Sequence, residues 1–159
     1  MNLKKGDIVT FDKGYNNYSQ FSDFCEKGVY FVTRLKDNAS YKIINRRKTH
    51  TTKISIDQII QFTGQVAKSR CPNELRRIRA IDKETGSVII LLTNMKSCSA
   101  EKIAEIYRKR WRIELFFKTI KQNLKIKRFY GTSENAVKTQ IWIAMIVYLL
   151  YMLLKKSVG

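Results

Sequence analysis

Apolar positions recur along this chain at two different periods, and the change of period divides it. Asp7-Ile8-Val9-Thr10-Phe11-Asp12 is a short β-branched and apolar run that ends at an acid. The turn-forming Lys13-Gly14-Tyr15 follows it, so the run reads as a strand. From Tyr18 to Glu26 the residues Tyr18, Phe21, Phe24 and Cys25 fall at helical spacing, and Gly28 is placed to stop the helix. Val29-Tyr30-Phe31-Val32-Thr33-Arg34 is a second strand. The order β-α-β favours a parallel pair and an α/β core.

Residues 40–94 read as antiparallel β. Tyr41-Lys42-Ile43-Ile44, Leu75 to Ile81 and Ser87 to Leu92 are strand-like, and Asp82-Lys83-Glu84-Thr85-Gly86 is a hairpin connection between the last two. From Ser99 onward the period becomes 3.6. Ser99 suits an N-cap and Glu101 the first turn of a helix over about 100–127, because no Gly or Pro intervenes before Gly131. Ser133 suits the cap of a second helix over about 134–156.

Charge narrows the choice of partner. Of 159 residues, 31 are Lys or Arg and 13 are Asp or Glu, a formal net charge of +18. So basic a chain points to a polyanion, first nucleic acid and second an anionic membrane surface. The three cysteines, Cys25, Cys71 and Cys98, are widely spaced, and with the single His50 they match no common zinc-finger spacing. They suit reduced thiols in a cytoplasm. Met1 to Lys5 leads into the first strand without the apolar core of a signal peptide. Ile141 to Leu154, IWIAMIVYLLYMLL, is shorter than the roughly 20 residues a spanning helix needs. It is expected to be a helix buried on most of its circumference, with no membrane partner.

The first long helix carries the candidate chemistry. With Tyr107 set at zero, Arg110 falls at about 300°, Glu114 at about 340° and Lys121 at about 320°, one narrow polar stripe. Ile106, Ile113, Phe116, Phe117, Ile120 and Leu124 fall at about 180–280°, an adjacent apolar face. Glu114 is thereby placed at the edge of the core-facing side. Spacing alone leaves a plain alternative open: Glu114 and Lys118 are also an i,i+4 surface pair, and Asp12 before a turn is also a turn former.

The pattern Tyr107-x2-Arg110-x3-Glu114-x6-Lys121, in the context IAEIYRKRWRIELFFKTIKQNLKI, resembles the signature of the IS4-family DDE transposases. Phe11-Asp12-Lys13-Gly14-Tyr15 resembles the segment around that family's second catalytic Asp. Phe31 to Arg34, Leu91 to Asn94 and the stretch from Phe129 to Val137 add to the likeness, which covers nearly the whole chain.

The resemblance implies an α/β protein: a partial RNase H-like fold with a β-rich insertion and two long C-terminal helices. Residues 1–39 would be a partial core with the second catalytic Asp, 40–96 the insertion, and 97–159 the helices that complete the core. Asp12 and Glu114 would be catalytic and would bind Mg²⁺ or Mn²⁺, hard cations suited to carboxylate oxygen and to two-metal phosphoryl transfer. Tyr107, Arg110 and Lys121 would contact DNA, the Arg by its fork and the Lys as a point charge. The implied partners are transposon-end DNA and a second transposase copy in a synaptic dimer, in a bacterial cytoplasm at the nucleoid. Only Asp7 precedes Asp12 as an acid, and it begins the same strand. The family's first Asp and its strands are therefore expected to be missing.

A non-catalytic basic module is the competing reading. It would set Arg46, Arg47, Lys48, Arg76, Arg77, Arg108, Lys109, Arg110 and Arg112 on phosphates and need neither acid. A membrane-surface protein is the third. Both of the first two predict salt-sensitive DNA binding, so metal dependence has to separate them. With two of three carboxylates the chain alone is expected to nick DNA far more slowly than a complete transposase. Metal-dependent nicking by this chain at the rate of a complete enzyme would refute that expectation.

Overall fold

A computed structural model describes residues 2–49, 51–81, 86–123 and 131–158, with the side chains of 111, 117, 119–123 and 155–158 left aside. The chain forms two compact units, Met1–Arg110 and Trp111–Gly159.

The first unit is built on one mixed sheet. In chain order its elements are β1 (Ile8–Thr10), a single 3₁₀ turn (Lys13–Tyr15), α1 (Tyr18–Glu26), β2 (Tyr30–Arg34), β3 (Tyr41–Arg46), β4 (Ile54–Phe62), α2 (Gln65–Arg70), β5 (Leu75–Ile81) and β6 (Val88–Thr93). The first turns of α3 (Ala100–Asn123) complete it. The strands lie in the order β1-β2-β6-β5-β4-β3. β1 and β2 run parallel, as the β-α-β opening requires, and every other neighbouring pair is antiparallel. The strands from the middle of the chain thus continue the sheet that β1 and β2 begin, and β1 forms one of its edges.

Alternation along the strands gives each face of the sheet its own core. Phe31, Leu92, Leu75 and Ile60 pack with Phe21 and Phe24 of α1 and Ala67 of α2. Phe21 stacks on Phe31 with ring centroids 4.8 Å apart. Val32, Leu91, Ile78 and Ala80 point the other way and pack with Ala100, Ile103 and Tyr107 of α3. Asn17 caps α1 by accepting from the Ser19 N–H at 3.0 Å. Gly28, at φ 64°, turns the chain out of α1 in a conformation that costs other residues more.

A buried ion pair ties the sheet to α3. Arg76 of β5 is 1% exposed. Its Nε and Nη2 donate to the two carboxylate oxygens of Asp57 on β4, at 2.8 and 2.7 Å. Its Nη1 donates to the carbonyls of Met95, at 3.1 Å, and Cys98, in the turn that leads into α3. Arg47 also donates to the Lys96 carbonyl in that turn and lies 3.8 Å from Asp57. Arg76 is thus no phosphate ligand, and the basic-module reading loses one of its cations. A guanidinium taken out of water needs a fixed carboxylate, and Asp57 supplies it.

The second unit holds the remainder of α3 and α4 (Glu134–Val158). Ser133 caps α4, its Oγ accepting from the Ala136 N–H at 3.2 Å. A Cβ on Gly131 would come within 2.4 Å of the Ala136 Cβ, so the approach to the helix admits only glycine there. Phe116 and Tyr148 meet edge to face with centroids 5.1 Å apart.

The expected burial of α4 is corrected. Among its described residues only Ala144 is buried, while Trp142, Ile146, Leu149 and Leu153 are exposed, the last at 64%. By length and composition alone, Glu134–Leu154 would suffice to cross a membrane. The sequence pattern reported apolar character correctly, but the described residues do not supply enough surface to cover it. The expected extension of α3 to Lys127 and the Asp82–Thr85 connection lie outside the described residues.

Breaking the buried pair from one side has a defined effect. Arg76→Met leaves the buried Asp57 carboxylate with only the Arg47 guanidinium, 3.8 Å away, and is expected to lower stability by about 3–5 kcal/mol in urea denaturation. The double variant with Asp57→Leu removes both charges and should recover much of that loss. A loss below about 1 kcal/mol for Arg76→Met would refute the role given to the pair.

Candidate active site

The site begins where the two parallel strands end. Phe11 continues the pairing of β1 through its N–H to the Val32 carbonyl at 3.3 Å. The next residue, Asp12, stops the strand and caps the 3₁₀ turn: its Oδ1 accepts from the Lys13 N–H at 2.7 Å, and its carbonyl from the Tyr15 N–H at 3.0 Å. Because β1 and β2 are parallel, Asp12 and the Thr33–Arg34 end of β2 lie at the same carboxyl edge, where ligands of open α/β sheets are commonly held.

α3 brings Tyr107 and Arg110 to this edge. Ile103 and Tyr107, four residues apart, face the core on one side of the sheet. Tyr107 is 5% exposed. Burial pushes its phenol above the ordinary value of 10.0, and the Asp12 carboxylate pushes it further, while the Arg110 and Arg34 guanidinium groups pull it down. Asp12, Arg34, Tyr107 and Arg110 therefore share one electrostatic neighbourhood. Arg110 sits over the Tyr107 ring, 5.1 Å from its centroid. Its approach acts on the phenol's acidity, yet the Tyr107 hydroxyl is shut from solvent with no partner in hydrogen-bond geometry among the described residues.

The five residues expected at the site divide between the two units. Asp12, Tyr107 and Arg110 belong to the first and come together there. Glu114 belongs to the second unit and is exposed. Lys121 is on α3 in the same unit, its side chain outside the described residues. A hard cation such as Mg²⁺ suits the Asp12 carboxylate, but no group of three or more His, Cys, Asp or Glu side chains gathers among the described residues. Arg34 is the neighbour that the sequence reading gave no role. Its position at the end of the strand parallel to β1 was the available signal.

A parallel β-α-β unit that ends in an acid, with a phenol and two guanidinium groups in the same electrostatic neighbourhood, defines an α/β protein with a charged carboxyl edge. Comparison with known proteins makes the family plain. The Transposase DDE domain family matches residues 1–150, and the chain belongs to it. An inferred transposase of Sinorhizobium fredii, y4zB, is 37% identical over 152 residues, 93% of this chain and 42% of its own. An inferred transposase for insertion sequence element IS5377 of Geobacillus stearothermophilus is 33% identical over 147 residues, 90% of this chain and 38% of its own. A similar protein for element IS4SA of Synechocystis is 30% identical over 155 residues, 92% of this chain and 41% of its own. The chain thus spans well under half the length of these relatives.

Tyr107→Phe tests the stranded hydroxyl. Removing a buried polar atom that has no partner in hydrogen-bond geometry among the described residues should leave stability unchanged or raise it by about 1 kcal/mol near neutral pH. Because the folded phenol holds its proton to a higher pH than the unfolded one, its contribution is complete below pH 10.0 and is lost as pH rises through the raised folded value. The difference between Tyr107→Phe and the unsubstituted chain in urea denaturation should therefore shift in favour of Tyr107→Phe above that pH. A substitution that destabilises at neutral pH would show that the hydroxyl is satisfied.

Proposed function

We propose that this chain is the part of an insertion-sequence transposase that carries the second and third acids of its catalytic centre, Asp12 and Glu114, and cleaves and joins DNA strands in concert with the rest of the protein. The observation that carries the reading is the coupling of Asp12 to Tyr107 with Arg110 over the phenol ring. Asp12 shares one neighbourhood with the phenol and guanidinium of the expected signature, and membership of the Transposase DDE domain family supports reading a DNA phosphate as the ligand.

In this reading the fold is a partial RNase H-like core over 1–39, a β-rich insertion over 40–96 and completing helices over 97–159. Asp12 and Glu114 hold Mg²⁺ or Mn²⁺ together with a third carboxylate from outside this chain. The metal, when bound, supplies Lewis-acid activation at the scissile phosphate. Arg110 and Lys121 neutralise neighbouring phosphates, and Tyr107 contacts the DNA beside the cleaved end. The exposed face of α4 is covered in the complete protein by its remaining length and by a second copy in the synaptic dimer, at the bacterial nucleoid, with no membrane involved.

Iron-mediated backbone cleavage tests the shared ion. Fe²⁺ substituted for Mg²⁺ in the presence of ascorbate and peroxide cuts the chain beside the ion it occupies. Cuts near both Asp12 and Glu114, each abolished by Asp12→Ala and by Glu114→Ala alike, are expected. Cuts near one acid that ignore substitution of the other would sink the reading.

A further inference from the structure

We propose that Asn16 is a positioning residue for Asp12: its side chain fastens the far end of the turn that Asp12 begins to the end of β2. The proposal rests on the reading of Asp12 as an acid of the site, and goes beyond it by naming what holds that acid in place.

The geometry uses the whole side-chain amide. Asn16 Nδ2 donates to the Arg34 carbonyl at 2.8 Å, and Asn16 Oδ1 accepts from Thr33 Oγ1 at 2.8 Å. Thr33 is fully buried, so its hydroxyl needs a fixed acceptor, and Asn16 provides one. The Asn16 N–H closes the turn on the Lys13 carbonyl at 3.3 Å, and the Lys36 ammonium approaches the Asn16 carbonyl at 3.5 Å. The turn is therefore anchored at both ends, by the strand pairing of Phe11 before it and by Asn16 after it. Between these anchors Asp12 has one carboxylate oxygen on the Lys13 N–H and its carbonyl on the Tyr15 N–H. Without the second anchor, the turn hinges on the last pairing of a three-residue edge strand. Few residues can replace Asn16: an aspartate keeps the acceptor and loses the donor, and a serine is too short to reach both partners.

Tyr107 reports on Asp12 without requiring activity. In the full chain with ¹³C-labelled tyrosine rings, the Tyr107 signal is assigned by its loss in Tyr107→Phe and followed through its titration. Asp12→Asn removes a negative charge and is expected to lower the midpoint. Asn16→Ala and Thr33→Val, which release the turn, should lower it in the same direction, and Thr33→Ser, which keeps the hydroxyl, should leave it unchanged. If Asp12→Asn lowers the midpoint while Asn16→Ala and Thr33→Val do not, the fastening is wrong and the site reading stands. A rise in the latter two means that Arg34 has moved instead, which also overturns the proposal. No effect of Asp12→Asn removes the coupling itself, and the site reading falls together with the fastening. Should Asn16→Ala fail to fold, the Thr33 pair decides. Should alkali unfold the chain first, amide exchange at Lys13 and Tyr15 near neutral pH decides: protection lost in Thr33→Val and kept in Thr33→Ser supports the proposal, and protection unchanged in both overturns it.

Discussion

The Arg76 guanidinium is the constraint around which the first unit is arranged. It is taken fully out of water, and every donor it presents has to be answered in a fixed direction. Asp57 answers with a two-oxygen fork from the neighbouring strand, and the carbonyls of Met95 and Cys98 answer from the turn that enters α3. Carbonyls in such a turn have few partners of their own, so the pair stabilises an irregular segment that helix and sheet cannot satisfy. The start of α3 is thereby fixed to the sheet, and Ile103 and Tyr107 follow from it by helical spacing.

The other side of the site is held by lighter means. β1 is three residues long, pairs with one neighbour only, and ends at the acid. A parallel edge of that length contributes little by itself. The aromatic cluster of Phe11, Phe21, Phe24 and Phe31 supports it from below, with ring centroids 4.8–6.2 Å apart. One face of the sheet thus supplies a rigid helix carrying the phenol and the guanidinium. The other supplies an aromatic floor under the acid.

Much of this was legible in the sequence where local pattern and tertiary role agree. The bounds of α1 follow from its aromatic spacing and from Gly28, and the β-α-β opening implied the parallel pair that β1 and β2 form. β5 coincides with Leu75–Ile81, in which Ile78 and Ala80 alternate with Arg77 and Arg79 on opposite faces, while Arg76 shares the buried face of Ile78. β4 was not read, although Ile54-Ser55-Ile56-Asp57 alternates. Its continuation Ile59-Ile60 is buried on both faces and breaks the period. The competing basic-module reading sets Arg76 on a phosphate because a basic strand looks the same whether its cations meet solvent or a buried carboxylate. Only the register that sets Asp57 against β5 separates the two. The place of Asp12 after a strand and at the start of a turn was legible, and Asp12 caps that turn. Arg34 and Asn16 were not, since their roles depend on which strand ends lie side by side.

The enclosed phenol oxygen has an implication for the packing of α3. A polar atom held away from water with no complement among the described residues costs more than an apolar ring edge in the same place. The seam between α3 and the sheet therefore carries a local penalty that its apolar neighbours, Ile103 among them, have to outweigh.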